Sequence, residues 1–220
     1  MNSLDLLKAL KTLGHIHDER DPWWWPNSGS FDVVVGALLT QQTRWENVEQ
    51  SLARLRRAGR LNLHALADAS PDELRQHIRP SGFFNTKAQR LHTLARRIRH
   101  EFGNFDHFRQ QVTRQWLLAQ TGVGPETADS ILCYACHRPV MVADAYSQRL
   151  LNALGIDARD YTAVQTWLAE GITNNPDAAH LYTPPISQVR IMARFHGKIV
   201  EYCKQNARGK HIDVTPLRSV

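Results

Sequence analysis

Apolar residues recur three and four positions apart along almost the whole chain. The clearest run is "NTKAQRLHTLARRIRHEFG", where Ala88, Leu91, Leu94, Ala95 and Ile98 share one helical face and the charges share the other. Residues 3–14, the stretch "FDVVVGALLTQQTRWENVEQSLARLRRAG" and the closing "PISQVRIMARFHGKIVEYCKQNA" carry the same period, the second with a polar interruption near Thr40–Thr43. Ser70 before Pro71 marks a capped helix start. The only strand-like stretch is "PVMVA" at 139–143, too short to found a sheet. The fold class is therefore all-α. No repeat or low-complexity linker interrupts it, and residues 208–220 read as a frayed basic tail.

A length of 220 residues suits one large domain or two small ones sharing a core. The net charge of +6 and pI of about 9.5 suit a polyanionic partner. Three cysteines, Cys133, Cys136 and Cys203, are too few and too odd in number for a disulfide framework, and imply a reducing compartment. The 11 histidines show no metal-ligand spacing. The N-terminus has no apolar core of a signal peptide and no stretch reaches membrane-spanning length, so the expectation is a soluble cytoplasmic protein.

Half of the 6 tryptophans stand in "PWWWP" at residues 22–26. No regular element buries three consecutive side chains on one face. Either the rings clamp a loop onto the body or they offer an aromatic platform. Trp116 and Trp167, on amphipathic patterns, are expected in the core.

The segment "TRQWLLAQTGVGPETADSILCYA" carries the most chemistry. A helix ends near Gln120, and Gly122-Val123-Gly124 leads into a new helix at Pro125. Glycines allow positive φ and close backbone approach, and the unpartnered amides of the turn can seat a phosphate. This stretch resembles the helix–hairpin–helix of the DNA glycosylase superfamily that includes endonuclease III, whose pattern is close to L-P-G-V-G-x-K-T-A, with a catalytic aspartate 18 positions beyond the lysine. Here the lysine position holds Glu126, and 18 residues on stands Asp144 in "VMVADAYSQRL". "ALLTQQTRWENV" and "IRPSGFFNTKAQRL" are similar to two further family segments in the same order. The resemblance implies a six-helix barrel over residues 31–141 with the hairpin inside it. It implies a second helical domain from residues 1–30 and 142–220.

Two departures shape the expected chemistry. The family lysine attacks the sugar and forms a Schiff base; Glu126 cannot, which implies a monofunctional glycosylase using water and no lyase step. An acid in the first turn of a helix also suits the macrodipole, and that is read as most of its role. Many relatives bind a [4Fe–4S] cluster through four cysteines, and a C-terminal region with Cys203 alone implies none. Cys133 and Cys136 read as small buried hydrophobes. No metal or other cofactor is expected.

Asp144 follows an apolar run and precedes a helix, so it is an N-cap by local signals. The resemblance adds a role as the carboxylate that stabilises the oxocarbenium-like sugar and orients water. "PWWWPNSGSFDVVVGALLTQQTRW", "ILCYACHRPVMVAD" and "ARFHGKIVEYCKQ" are similar to the bacterial 3-methyladenine DNA glycosylase III branch. That implies a pocket of Trp24, Trp25, Pro26 and Trp45 for a flipped, positively charged base, selected by cation–π attraction. It implies Gln42 filling the gap in the duplex. Gly122, Val123, Gly124 and Thr127 are the expected phosphate contacts, with Lys87 a further candidate. Trp23 reads as packing, anchoring the loop to the terminal helices, and Phe83 and Phe84 as stapling the helix that follows. The "ARRIRH" run at 95–100 reads as a solvated face, and Lys198 as a lysine needing a partner. The partner is double-stranded DNA with alkylated bases, met by a monomer. Alternatives are a family member acting on uracil, mispaired thymine or an oxidised pyrimidine, or a non-catalytic DNA-binding module.

Overall fold

A computed structural model describes residues 1–16, 22–209 and 211–219. Among them are fourteen α-helices: α1 (Ser3–Thr12), α2 (Phe31–Leu39), α3 (Trp45–Arg57), α4 (Leu63–Asp68), α5 (Pro71–Ile78), α6 (Phe84–Phe102), α7 (Phe105–Gln111), α8 (Arg114–Leu118), α9 (Pro125–Ser130), α10 (Ala145–Leu154), α11 (Tyr161–Glu170), α12 (Pro176–His180), α13 (Gln188–Asn206) and α14 (Thr215–Arg218). A 3₁₀ turn at Arg79–Ser81 precedes α6, and a π-helical turn at Ile131–Ala135 continues α9. The fold is all-α, with one two-stranded ribbon, β1 (Ala207–Arg208) and β2 (His211–Ile212).

The chain divides into two compact units, residues 27–136 and residues 1–26 with 137–220. In the first, α2 is apolar on nearly every side, with Phe31, Val33, Val34, Val35, Ala37, Leu38 and Leu39 all buried. Such a helix belongs in the middle of a bundle. Around it, α6 buries Ala88, Leu91, Leu94, Ala95 and Ile98, and its "ARRIRH" arginines stay on the polar face, Arg97 against Glu101 and Arg99 against Asp68. Asp129 is fully buried under a two-pronged hydrogen bond from Arg114, at 2.7 and 3.1 Å, which ties α8 to α9.

In the second unit, α1 lays Leu4, Leu6, Leu7 and Leu10 into a core with Ile191, Phe195, Ile199 and Tyr202 of α13. Asn2 and Asp5 close a capping box at the start of α1. The Ser3 hydroxyl accepts the Gly171 amide at 2.8 Å, where a Cβ on Gly171 would collide with it.

As expected, "PVMVA" founds no sheet among the described residues; Met141, Val142 and Ala143 are buried as extended chain, and Gln165 Nε2 donates to the Met141 carbonyl at 2.7 Å. Other expectations change. The strands lie instead where a frayed tail was expected. Ala207 pairs with Ile212 and Arg208 with His211, after which Leu217 buries α14. Trp116 and Trp167 are half-buried, Trp116 in an edge-on cluster with Phe102 and Phe108. Phe83 does not staple α6: it is 66% exposed in a left-handed conformation, while Phe84 lies under Arg79.

Candidate active site

Asp144 caps α10 and is held by one oxygen. Its Oδ1 accepts the Ser147 amide at 2.8 Å and the Ser147 hydroxyl at 2.9 Å. Its Oδ2 lies 3.6 Å from His196 Nε2. The Asp144 side chain is 13% exposed and that of His196 4%. Burial pushes the Asp144 carboxyl up, but the adjacent His196 and the two Ser147 donors outweigh it and hold the group below the ordinary carboxylate value. The result is an anion with one oxygen fixed and the other bordered by an imidazole.

The tryptophan segment lies in the same unit and divides differently from the expected pattern. Trp23 stacks flat on His137, centroids 3.9 Å apart, with the Arg190 guanidinium over its ring. Trp24 docks on α13. Its backbone is left-handed, φ 66°, and its ring covers Gly197, where a Cβ would stand 2.7 Å from Trp24 Cδ2. The Trp24 indole N–H donates to Glu201 Oε1 at 3.0 Å, and the ring meets His196 edge-on at 5.3 Å. Trp25, 7% exposed, is the buried member and stands at 88° to Trp24, while Pro26 is exposed. Both rings thus meet α13, Trp24 on Gly197 and Trp23 under Arg190. Electron-rich rings, an imidazole and two carboxylates occupy one neighbourhood.

Lys198, fully buried, donates to the His15 and Ile16 carbonyls, which answers its need for partners. Burial first, and then the Lys198 charge, lower the His15 pKa against the opposing effect of Glu201.

In the other unit the hairpin forms as the sequence suggests, but its glycines do different work. Gly122 has φ 82°, and a Cβ there would strike the Arg90 side chain, so a side chain and not a backbone makes the close approach. Gly124 has extended backbone and caps α9 with open space around it. The first amides of α9 have no acceptor within the helix. Glu126 is exposed in that first turn.

Gln41 fastens the hairpin, donating from Nε2 to the Gly122 carbonyl at 2.8 Å and to Thr127 Oγ1 at 3.0 Å. Thr127 is therefore turned inward and buried. Its backbone amide, not its hydroxyl, is what it can offer a phosphate.

Gln42 and Trp45 flank a short loop between α2 and α3. Gln42 is exposed with φ 52°, and Trp45 opens α3 half-buried. A left-handed non-glycine residue persists only where its surroundings hold it. Here Lys87 does so. It is 3% exposed, and its Nζ donates to the Leu39 carbonyl at 2.8 Å, Thr43 Oγ1 at 2.7 Å and the Ser81 carbonyl at 2.8 Å. All three ammonium protons are used inside the unit, so Lys87 is not a phosphate contact as expected; it braces the Gln42 loop. Burial and the nearby Arg90 lower its pKa to about 8.

An iron–sulfur cluster does not fit these residues. Four thiolates are needed, and the chain has three cysteines. Cys133 is fully buried in the π-helical turn, with its thiol pushed far up by burial and Asp129. Cys203 points its thiol at the Tyr146 carbonyl and is raised to about 12 by burial and Asp144. Both are protonated thiols at neutral pH. Among the described residues no three His, Cys, Asp or Glu gather as metal ligands, and no helix is long and apolar enough to cross a membrane.

His196, Glu201, Gln41 and Ser147 escaped the sequence reading. One signal was available: Gly197 in the interior of a helix costs about 1 kcal/mol relative to alanine, so a close packing partner was to be expected there.

The comparisons with known proteins agree on the family. The model of the HhH-GPD superfamily of base excision DNA repair proteins matches residues 35–172. The chain is 34% identical to a protein of Methanocaldococcus jannaschii described as a DNA repair glycosylase, over 89% of this chain and 86% of the relative. It is 31% identical to an endonuclease III of Thermotoga maritima over 67% of this chain and 63% of that protein. Among solved structures, the H. pylori 3-methyladenine DNA glycosylase bound to 1,N6-ethenoadenine superposes with a TM-score of 0.90 at 44% identity, covering 95% of this chain and 100% of the other. The chain belongs to the HhH-GPD superfamily of base excision DNA repair proteins, and within it is a DNA glycosylase.

Proposed function

We propose that this glycosylase excises alkylated purines from double-stranded DNA, chiefly 3-methyladenine, as a monofunctional enzyme acting as a monomer and without a cofactor. The observation that carries the reading is the set of rings and carboxylates around Trp24. Trp24 meets His196 of the His196–Asp144 pair edge-on, Trp25 packs edge-on against Trp24, and Glu201 accepts from the Trp24 indole. Electron-rich faces and nearby anions favour a cation over a neutral base. The 44% identity to a 3-methyladenine glycosylase supports the same substrate.

The chemistry follows from the charge of the base. A 3-methylated adenine attached to deoxyribose is already a cation. When the bond from C1′ to the base nitrogen breaks, the bonding pair goes to the base and neutralises it, so no acid is needed. The sugar becomes oxocarbenium-like. The Asp144 carboxylate, oriented by Ser147, stabilises that charge and directs a water to C1′, and the water proton leaves through the carboxylate to solvent. Glu126 stands where an amine nucleophile would be needed for an adduct, and a carboxylate forms no Schiff base. Trp24, Trp25, Pro26 and Trp45 are assigned to hold the flipped base, and Gln42 to fill its place in the duplex. The backbone of Gly122, Val123, Gly124 and Thr127 is assigned to a phosphate.

The test is single-turnover excision from duplexes carrying methylated purines, uracil or thymine opposite guanine, or an oxidised pyrimidine. Release of 3-methyladenine ahead of the other bases is expected. Faster release of uracil or thymine would overturn the substrate, and an adduct trapped by borohydride would overturn the monofunctional mechanism.

A further inference from the structure

We infer that Glu201 is a specificity-determining residue: by accepting the Trp24 indole N–H, its carboxylate enriches the ring that receives the base and so favours cationic purines over neutral ones. This rests on the reading above that Trp24 is a wall of the base site.

The Trp24 ring is locked in place. Its left-handed backbone turns it onto α13, the absence of a side chain at Gly197 lets one face lie against the helix, and Ile16 closes the same side. Glu201 is one turn further along α13, which puts Oε1 3.0 Å from Nε1. A half-buried indole N–H needs an acceptor. Glutamine, a serine hydroxyl or a backbone carbonyl would satisfy it equally well as geometry. The acceptor here carries a negative charge.

A charge-assisted hydrogen bond polarises its donor. Pulling the N–H proton toward an anion pushes electron density into the indole π system, and the attraction of a cation for an aromatic face depends on that density. A neutral base stacked on the same ring gains almost nothing from it. Glu201 thus acts through Trp24, as a positioning and tuning group, and not on the reacting atoms.

The experiment uses the full chain and two duplexes. One carries 3-methyladenine, a cation; the other carries 3-deaza-3-methyladenine, a neutral isostere that is bound but not released. With Glu201→Gln, excision of 3-methyladenine is expected to fall about fivefold, with the isostere bound as by the wild type. In a Trp24→Phe background, which has no indole N–H, Glu201→Gln is expected to add no further loss. Equal losses for both duplexes would show a merely structural role and overturn the inference, as would no loss for either. An undiminished fivefold loss in the Trp24→Phe background would overturn the relay through the indole. A wild type that released no methylated purine would overturn the substrate reading itself, and this inference with it.

Discussion

His196 Nε2 stands 3.6 Å from Asp144 Oδ2, while Ser147 makes both of its hydrogen bonds to the other oxygen. The carboxylate is divided between two tasks. Oδ1 holds the helix start, and Oδ2 keeps its charge beside an imidazole. Asp144→Asn tests this division well, because asparagine is an equally good N-cap. The variant should fold as the wild type does, yet release methylated base about a thousandfold more slowly, the scale of losing an electrostatic stabiliser of the transition state. Melting temperature and single-turnover rate measured together check it, and wild-type release would remove Asp144 from the catalytic role.

The same pair predicts a pH effect. The Asp144 carboxyl sits below its ordinary value in the folded chain, so the stability it contributes is present above the unfolded value and is lost as pH falls through the folded one. His196 is the largest influence holding it down against burial. In His196→Gln the Asp144 pKa should therefore rise, and the acid limb of the rate–pH profile should move to higher pH. An acid limb that stays where it is in the wild type would show that Ser147 alone holds the carboxylate.

Much of the chain was readable because helices in a small protein announce their buried faces. The period of α6 named its five core positions correctly, and Gly122, with its positive φ, stood where the turn between helices requires a glycine. What escaped depended on contacts distant in sequence. Nothing local to His196 or Glu201 shows that Trp24, more than 170 residues away, lies between them. Lys87 was misread for a related reason: at a helix start a lysine looks like a phosphate contact, and only the three carbonyl and hydroxyl oxygens around it reveal a brace. The ribbon after α13 was missed because two-residue strands have no period to detect; Gly209, with its positive φ, was the only mark.

Lys87→Met separates the two readings of that residue. Methionine keeps the length and apolar stem but leaves the Leu39 and Ser81 carbonyls without their donor, which should cost about 3 kcal/mol of stability. The salt dependence of binding to undamaged DNA should be unchanged, whereas loss of a true phosphate contact would lower its slope by about one. The lysine pKa falls from 10.5 to about 8 on folding, so between these values the folded chain binds fewer protons than the unfolded one. The stability gap between wild type and variant should accordingly widen in favour of the wild type as pH rises through that window. A constant gap would mean that Lys87 titrates normally.

Gly197→Ala probes the seat of Trp24. A Cβ there would lie 2.7 Å from both Trp24 Cδ2 and Ile16 Cδ1, closer than packed atoms tolerate, so the ring has to lift from α13. Two effects on stability oppose each other. Alanine favours the helix by about 1 kcal/mol, and the overpacking costs about 1–3 kcal/mol, so the net loss should be small. The activity should suffer more, because a lifted ring moves its indole away from Glu201 and its edge away from His196. Excision of 3-methyladenine is expected to fall at least tenfold, with affinity for undamaged duplex within twofold of wild type. A variant that melts near the wild-type temperature and excises at the wild-type rate would show that the close fit of Trp24 on Gly197 has no part in holding the base.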